Sequence, residues 1–130
     1  MSIYEKSAID TVTAIGKMTH PLPDSVIRAE WQKSVSLYTS APSSIRKGCP
    51  FGTFLGLYKS GFIKGIPAVA GYRPTPASNA FYAIQARNIL MTSSGSYTTK
   101  KALWHRVCSS KSSNCQIDVV VGLYNAGLLI

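Results

Sequence analysis

Arg46-Lys47-Gly48-Cys49-Pro50-Phe51-Gly52-Thr53-Phe54-Leu55-Gly56-Leu57-Tyr58-Lys59-Ser60-Gly61-Phe62-Ile63-Lys64-Gly65-Ile66-Pro67 reads as one short helix with a sharp start and a sharp stop. Pro50 suits a first helical turn, where its missing N–H costs nothing, and Gly61 suits the left-handed position that closes a helix. Phe51, Phe54, Leu55 and Tyr58 fall on one face of a helix from Pro50 to Ser60. Gly52 and Gly56 lie four apart on another face. A glycine inside a helix costs up to about 1 kcal/mol relative to alanine, so the pair implies close approach by a neighbouring helix or a ligand. The ending then recurs. Gly56-Leu57-Tyr58-Lys59-Ser60-Gly61-Phe62-Ile63 is echoed by Gly122-Leu123-Tyr124-Asn125-Ala126-Gly127-Leu128-Leu129, with four identities and two further apolar matches.

Outward from this stretch the chain supplies further helical spacing. Ala8, Ile9, Val12 and Ile15 follow a Ser2 cap, giving a first helix from Ile3 to Ile15. Asp24 caps a second, through about Tyr38, with Ile27, Trp31, Val35 and Tyr38 on one face, and Ser40 to Ser44 is a polar break. A fourth is predicted from about Ser78 to Met91, carrying Phe81, Ala83 or Ile84, Asn88 and Leu90 toward the core, with Ser93-Ser94-Gly95-Ser96 as a break after it. A fifth runs from Thr98 or Thr99 to Ser109 on Leu103, Trp104 and Val107. Ser113 with Gln116 fits a capping box that opens a sixth, through Ala126. Val119, Val120, Val121 and Leu123 surround that last helix, so it should be central and buried. Ala8-Ile9 matches Ala83-Ile84, and Ala29-x-Trp31 matches Ala102-x-Trp104, both before the shared ending and in the same order. The expectation is an all-α single domain, 1–130, of about six helices. It is built as two three-helix repeats, roughly 1–64 and 75–130, packed about a pseudo-twofold and joined by the Pro/Gly-rich loop 65–77.

With 130 residues the chain is long enough for one core without staples, and no apolar run approaches a membrane span. The start, Met-Ser-Ile-Tyr-Glu-Lys-Ser, has no apolar leader, so a cytoplasmic location is expected. Cys49, Cys108 and Cys115 are odd in number and expected as reduced thiols. The formal net charge is +9, and from Trp31 onward the single acid is Asp118. Such a balance favours an anionic partner, a nucleic acid or an acidic protein, although the same charges serve equally as a solvated surface.

Lys47-Gly48-Cys49-Pro50, Phe54-Leu55-Gly56-Leu57, Lys64-Gly65-Ile66-Pro67, Gln116-x-Asp118-Val119-Val120 and Gly127-Leu128 together resemble a family of uncharacterised bacterial proteins known only as a domain of unknown function. The resemblance spans nearly the whole chain and implies no reaction or ligand. The chain departs from it at Asn114-Cys115-Gln116 and at Phe51, where a basic residue is common.

Several constellations bear on chemistry. An anion site is expected at the start of the 50–60 helix, with Arg46 and Lys47 flanking exposed N–H groups, Gly48 allowing close approach, and Thr53 among the donors. The competing expectation pairs Arg46 or Lys47 with Asp118 as a structural partner, since an aspartate in an apolar helix needs one. Arg73, Lys100, Lys101, Arg106 and Lys111 form a candidate basic surface for phosphate contacts, with Tyr72 or Tyr97 available to stack. The sixth helix carries no basic residue and is apolar all round, which excludes helix-turn-helix readout through it. Cys49 would need a base for thiol catalysis, with only His20 and His105 to supply it. His105, Cys108 and Cys115 lack the spacing of a zinc site, so no metal or other cofactor is expected. The reading is a non-enzymatic binding protein with a cationic face for an anionic partner. The alternatives are a nucleic-acid binder working through phosphate contacts, a protein-interaction module or homodimer, and a thiol enzyme using Cys49.

Overall fold

Glycine contacts, which the sequence required but could not assign, set the helix order. The structure is a computed structural model that describes residues 1–93, 99–113 and 115–130. The described residues form seven helical segments: α1 (Ile3–Ile15), α2 (Asp24–Ser36), α3 (Pro42–Ile45), α4 (Gly48–Lys59), α5 (Asn79–Ser93), α6 (Lys100–Val107) and α7 (Gln116–Asn125). The fold is all-α, and among the described residues strand geometry is limited to an isolated antiparallel bridge between Ile63 and Leu129. The short α3 lies in the segment read as a polar break, with Pro42 in its first turn. The break predicted at 93–96, the start at Thr98, Tyr97 and Asn114 lie largely or wholly outside the described residues.

α4 begins at Gly48, two residues before the predicted start, with Pro50 still inside its first turn. Its far end closes as expected. Phe62 N–H donates to Leu57 O at 3.1 Å and Gly61 N–H to Tyr58 O at 3.2 Å, with Gly61 at φ +76°. α7 ends identically, through Leu128 N–H to Leu123 O and Gly127 N–H to Tyr124 O. The two endings then pair with each other: Lys64 N–H donates to Leu128 O, and Ile130 N–H to Phe62 O.

Gly56 and Gly122 each mark a backbone approach between helices. A Cβ on Gly56 would lie 2.6 Å from Ala80 Cα in α5, and one on Gly122 would lie 2.8 Å from Glu5 Cα in α1. The central helix of each half thus rests on the first helix of the other half. The core follows the predicted stripes except at Tyr38, which lies beyond the end of α2 at Ser36 and is exposed. Ala8, Val12 and Ile15 of α1, Ile27, Trp31 and Val35 of α2, and Phe54 and Leu57 of α4 are buried, as are Leu103 and Trp104 of α6. In α7 Val119, Val120, Val121 and Leu123 are all buried, as expected of a central helix. α5 differs from its predicted stripe: Ala83, Ala86 and Leu90 are buried, while Asn88 faces solvent. Ala86 lies one turn from Ala83 and Leu90, so the true stripe follows the small residues that let α4 approach.

α7 also corrects a cap. Cys115, and not Ser113, is the residue preceding it, at φ +71°, and no side chain caps the helix. The chain turns through this left-handed residue, so helical geometry starts only at Gln116 and the Ser113 hydroxyl stands too early for a capping box.

Alanine at Gly56 or Gly122 gains helix propensity but presses a methyl into backbone atoms that cannot give way, so each substitution should destabilise by about 1–3 kcal/mol. Gly52→Ala meets only the Asn79 side chain, at 3.3 Å, and should be close to neutral. Urea unfolding of the three variants checks this order.

Candidate functional site

α6 is the most cationic element. Thr99 caps it, its side chain accepting from Ala102 N–H at 3.0 Å, and Leu103 and Trp104 turn inward. Lys101, His105 and Arg106 are left on the solvent face. Trp104 Nε1–H donates to Lys111 O at 2.7 Å, which holds the following loop against the helix. Lys111 is exposed, its ammonium 5.7 Å from the Tyr82 ring centroid. Among the described residues Lys101, Arg106 and Lys111 make no ion pair.

Lys100 behaves differently from its neighbours. It turns toward the core side of α6 and bridges two carboxylates, Glu5 of α1 and Asp118 of α7, the latter at 3.0 Å. The Glu5 side chain is only 7% exposed. Lys100 is therefore a structural cation, and the partner of Asp118 is Lys100 in place of Arg46 or Lys47. The reason is geometric: α6 and α1 both pack on α7, and α7 turns Asp118 toward them. Burial lowers the Lys100 pKa, but hydrogen bonds and charge from Glu5 and Asp118 more than offset it, so the net shift is upward. Glu5 was not singled out from the sequence. The signal was there, because Glu5, Ala8, Val12 and Ile15 fall on one helical stripe, and an acid in such a stripe needs a buried partner.

The expected anion site at the start of α4 is only partly assembled. Arg46 and Gly48 are exposed beside the helix start, and Lys47 reaches Cys115 Sγ at 3.6 Å. Thr53 does not belong with them. It is fully buried, and its hydroxyl donates to Cys49 O at 2.9 Å, because with helix geometry starting at Gly48 residue 53 lies well inside the helix. Cys49 lines a cavity of about 400 Å3 together with Asn79, Tyr82, Lys111 and Gln116. Among the described residues neither histidine lines it. His20 Nδ1 lies 2.8 Å from the Tyr58 hydroxyl, and His105 is on α6. The residues weighed for zinc are likewise dispersed. Cys108 is buried beside Ser110, where burial raises its thiol pKa and hydrogen bonds from Ser110, Tyr82 and the loop backbone bring it below the ordinary value.

Arg73 sits apart from the α6 cations, in a cavity of about 270 Å3 with Lys59, Tyr72 and the Gly52 and Gly56 face of α4. Lys59 is paired with Asp24 at 2.9 Å and lies over the Tyr72 ring. A base could stack on that face of Tyr72 only by displacing the lysine. A third cavity, of about 330 Å3, opens between α6 and α7, lined by Lys100, Lys101, Trp104, His105, Ile117 and Asp118. It shares Trp104 with the Cys49 cavity, which in turn shares Ser78 and Asn79 with the Arg73 cavity. Three adjoining depressions therefore run from Arg73 past Lys111 to Lys101.

Lys100→Met should destabilise the fold by about 1–3 kcal/mol by stranding Glu5, and Glu5→Gln in that background should restore part of the loss. Because the folded Lys100 pKa is raised, its stabilising contribution is complete below the pH at which an unfolded lysine titrates. It is lost as pH climbs through the folded value. The alkaline limb of the stability profile should flatten in Lys100→Met, as read by denaturant titrations across pH.

Among the described residues no helix is long and apolar enough to cross a membrane. No curated protein and no solved structure matches the chain. One family does match, over residues 1–130, in keeping with the motifs read along the sequence: the chain belongs to the family of unknown function DUF6979.

Proposed function

We propose that this is a non-enzymatic binding protein that docks an anionic macromolecule, a nucleic acid being the reading favoured, through the outer face of α6 and the loop after it. The observation that carries the reading is the set of exposed cations Lys101, Arg106 and Lys111, without an ion pair among the described residues, on α6 and the loop after it, which contain no acid. Of the five acids of the molecule, Glu5 and Asp118 are engaged by Lys100, Asp24 by Lys59 and Asp10 by the Tyr38 hydroxyl, and Glu30 lies on α2. A net charge of +9 adds long-range attraction for any polyanion. Contacts of this kind go to phosphates and carry position, not sequence information. Trp104 is turned away from the outer face of α6 and Tyr82 lies under Lys111, so base stacking on that outer face contributes little among the described residues. Among the described residues the three cysteines form no disulfide, which suits a reducing cytoplasm.

We also propose that the halves 1–64 and 75–130, joined by loop 65–77, derive from one duplicated unit. The reciprocal resting of Gly56 on α5 and Gly122 on α1 supports this, as does the pairing of Ile63 with Leu129 at matching positions of the repeat.

Binding of labelled double- and single-stranded DNA and RNA across a salt series tests the reading. The logarithm of the affinity should fall linearly with the logarithm of salt, and Lys101→Ala/Arg106→Ala should make the slope shallower by about 2, one for each phosphate no longer neutralised. Arg46→Ala/Lys47→Ala should change it less. No binding near physiological salt would overturn nucleic acid as the partner. A stoichiometric self-association in sedimentation, with no nucleic-acid binding, would favour a homodimer instead.

A further inference from the structure

The two halves differ in chemistry where α6 meets α7. By the sequence matches, Lys101 stands where α2 has Arg28, Trp104 where it has Trp31, and Ile117 of α7 where α4 has Phe51. In the first half this corner is filled. Phe51 lies 6.2 Å from the Trp31 ring and beneath the Arg28 guanidinium, 4.5 Å from the Phe51 centroid. In the second half the smaller Ile117 leaves a cavity of about 330 Å3, walled by Trp104 and Ile117 and rimmed by Lys101 and His105. The floor differs too. Ile27, Gly52 and Ala80 stand at the positions that Lys100, Asp118 and Glu5 occupy across the repeat, so the corner can be built without ions. A partly buried ion cluster is weak support for stability, and apolar replacements are often neutral or better. Its presence beside an open, partly apolar cavity of ligand size is the combination that marks small-molecule sites.

We infer that the cavity between α6 and α7 binds a small ligand with a flat apolar body and a single anionic group, a carboxylate or a phosphate monoester. The body lies against Trp104 and Ile117, and the anionic group meets the Lys101 ammonium and the His105 imidazole at the rim. The Asp118 carboxylate on the floor is paired with Lys100 at 3.0 Å, so neither group is free to hold the ligand, and the anionic end is directed outward to Lys101. The inference rests on the duplication and adds a second, distinct ligand class to the cationic face.

Calorimetric titration with 1-naphthyl phosphate and with 1-naphthoate tests it, with 1-naphthol and inorganic phosphate as the two half-ligands and the Trp104 indole N–H resonance as a local reporter. Binding of at least one naphthyl anion, at least about tenfold tighter than either half-ligand, is expected, and which anion binds better distinguishes phosphate from carboxylate. Ile117→Phe, which fills the cavity as Phe51 fills its counterpart, should abolish binding. Lys101→Ala, a change at an exposed side chain, should weaken it about tenfold and serves if Ile117→Phe does not fold. No binding of either anion up to about 10 mM, equal binding of 1-naphthol, or unchanged affinity in Lys101→Ala would overturn the proposal. Nucleic-acid binding on the same samples is a separate readout. Naphthyl binding without it sinks the surface reading alone, and the reverse result sinks this one alone.

Discussion

Backbone contact at Gly56 and Gly122 is the constraint on which the rest of the structure depends. A helix gives up as much as about 1 kcal/mol for each interior glycine, and here the return is that α4 closes onto Ala80 of α5 and α7 onto Glu5 of α1, too close for a side chain at either glycine. Once those pairs touch, Phe54, Leu57, Val120 and Leu123 are sealed at the centre with no exposed surface. Each such side chain contributes about 1.5–3 kcal/mol by burial. The Ile63 and Leu129 bridge then ties the two helix endings together, so both halves are anchored at the same central point.

The Glu5, Lys100 and Asp118 cluster joins three helices at one edge of this core. It links the first helix of one half to the second and third helices of the other, beside the Gly122 contact. Desolvating Glu5 is costly, and the ammonium offsets that cost only while α6 stays docked. The cluster therefore couples the position of α6, and with it the outward cations Lys101 and Arg106, to the packing of α1 on α7. The proposed binding face and the ion cluster beside it share one helix, with Lys100 turned to the carboxylates and Lys101 to the surface.

Element identity was legible in the residues because helix formation is governed by neighbours within a few positions. The 3.6-residue stripes of α1, α2, α4 and α7, the Gly61 and Gly127 endings, and the need for close approach at Gly56, though not at Gly52, follow from local spacing. The site was legible only in part. Lys100 and Lys101 are adjacent and chemically alike in the sequence, yet one bridges two carboxylates at the edge of the core and the other is an exposed cation with no ion pair among the described residues. A single rotation of about 100° around α6 separates those roles.

The amino-acid sequence by itself determined an all-α chain, its helices apart from the short α3, the strongly basic balance and the family to which it belongs. Only the tertiary structure decided which partner Asp118 takes, that Thr53 belongs to the core, that Cys115 opens α7, and where cavities remain. The difference is one of range. Periodicity and capping act over a turn or two of one helix, whereas a buried charge is answered by whichever cation the packing of distant helices brings within about 3–4 Å.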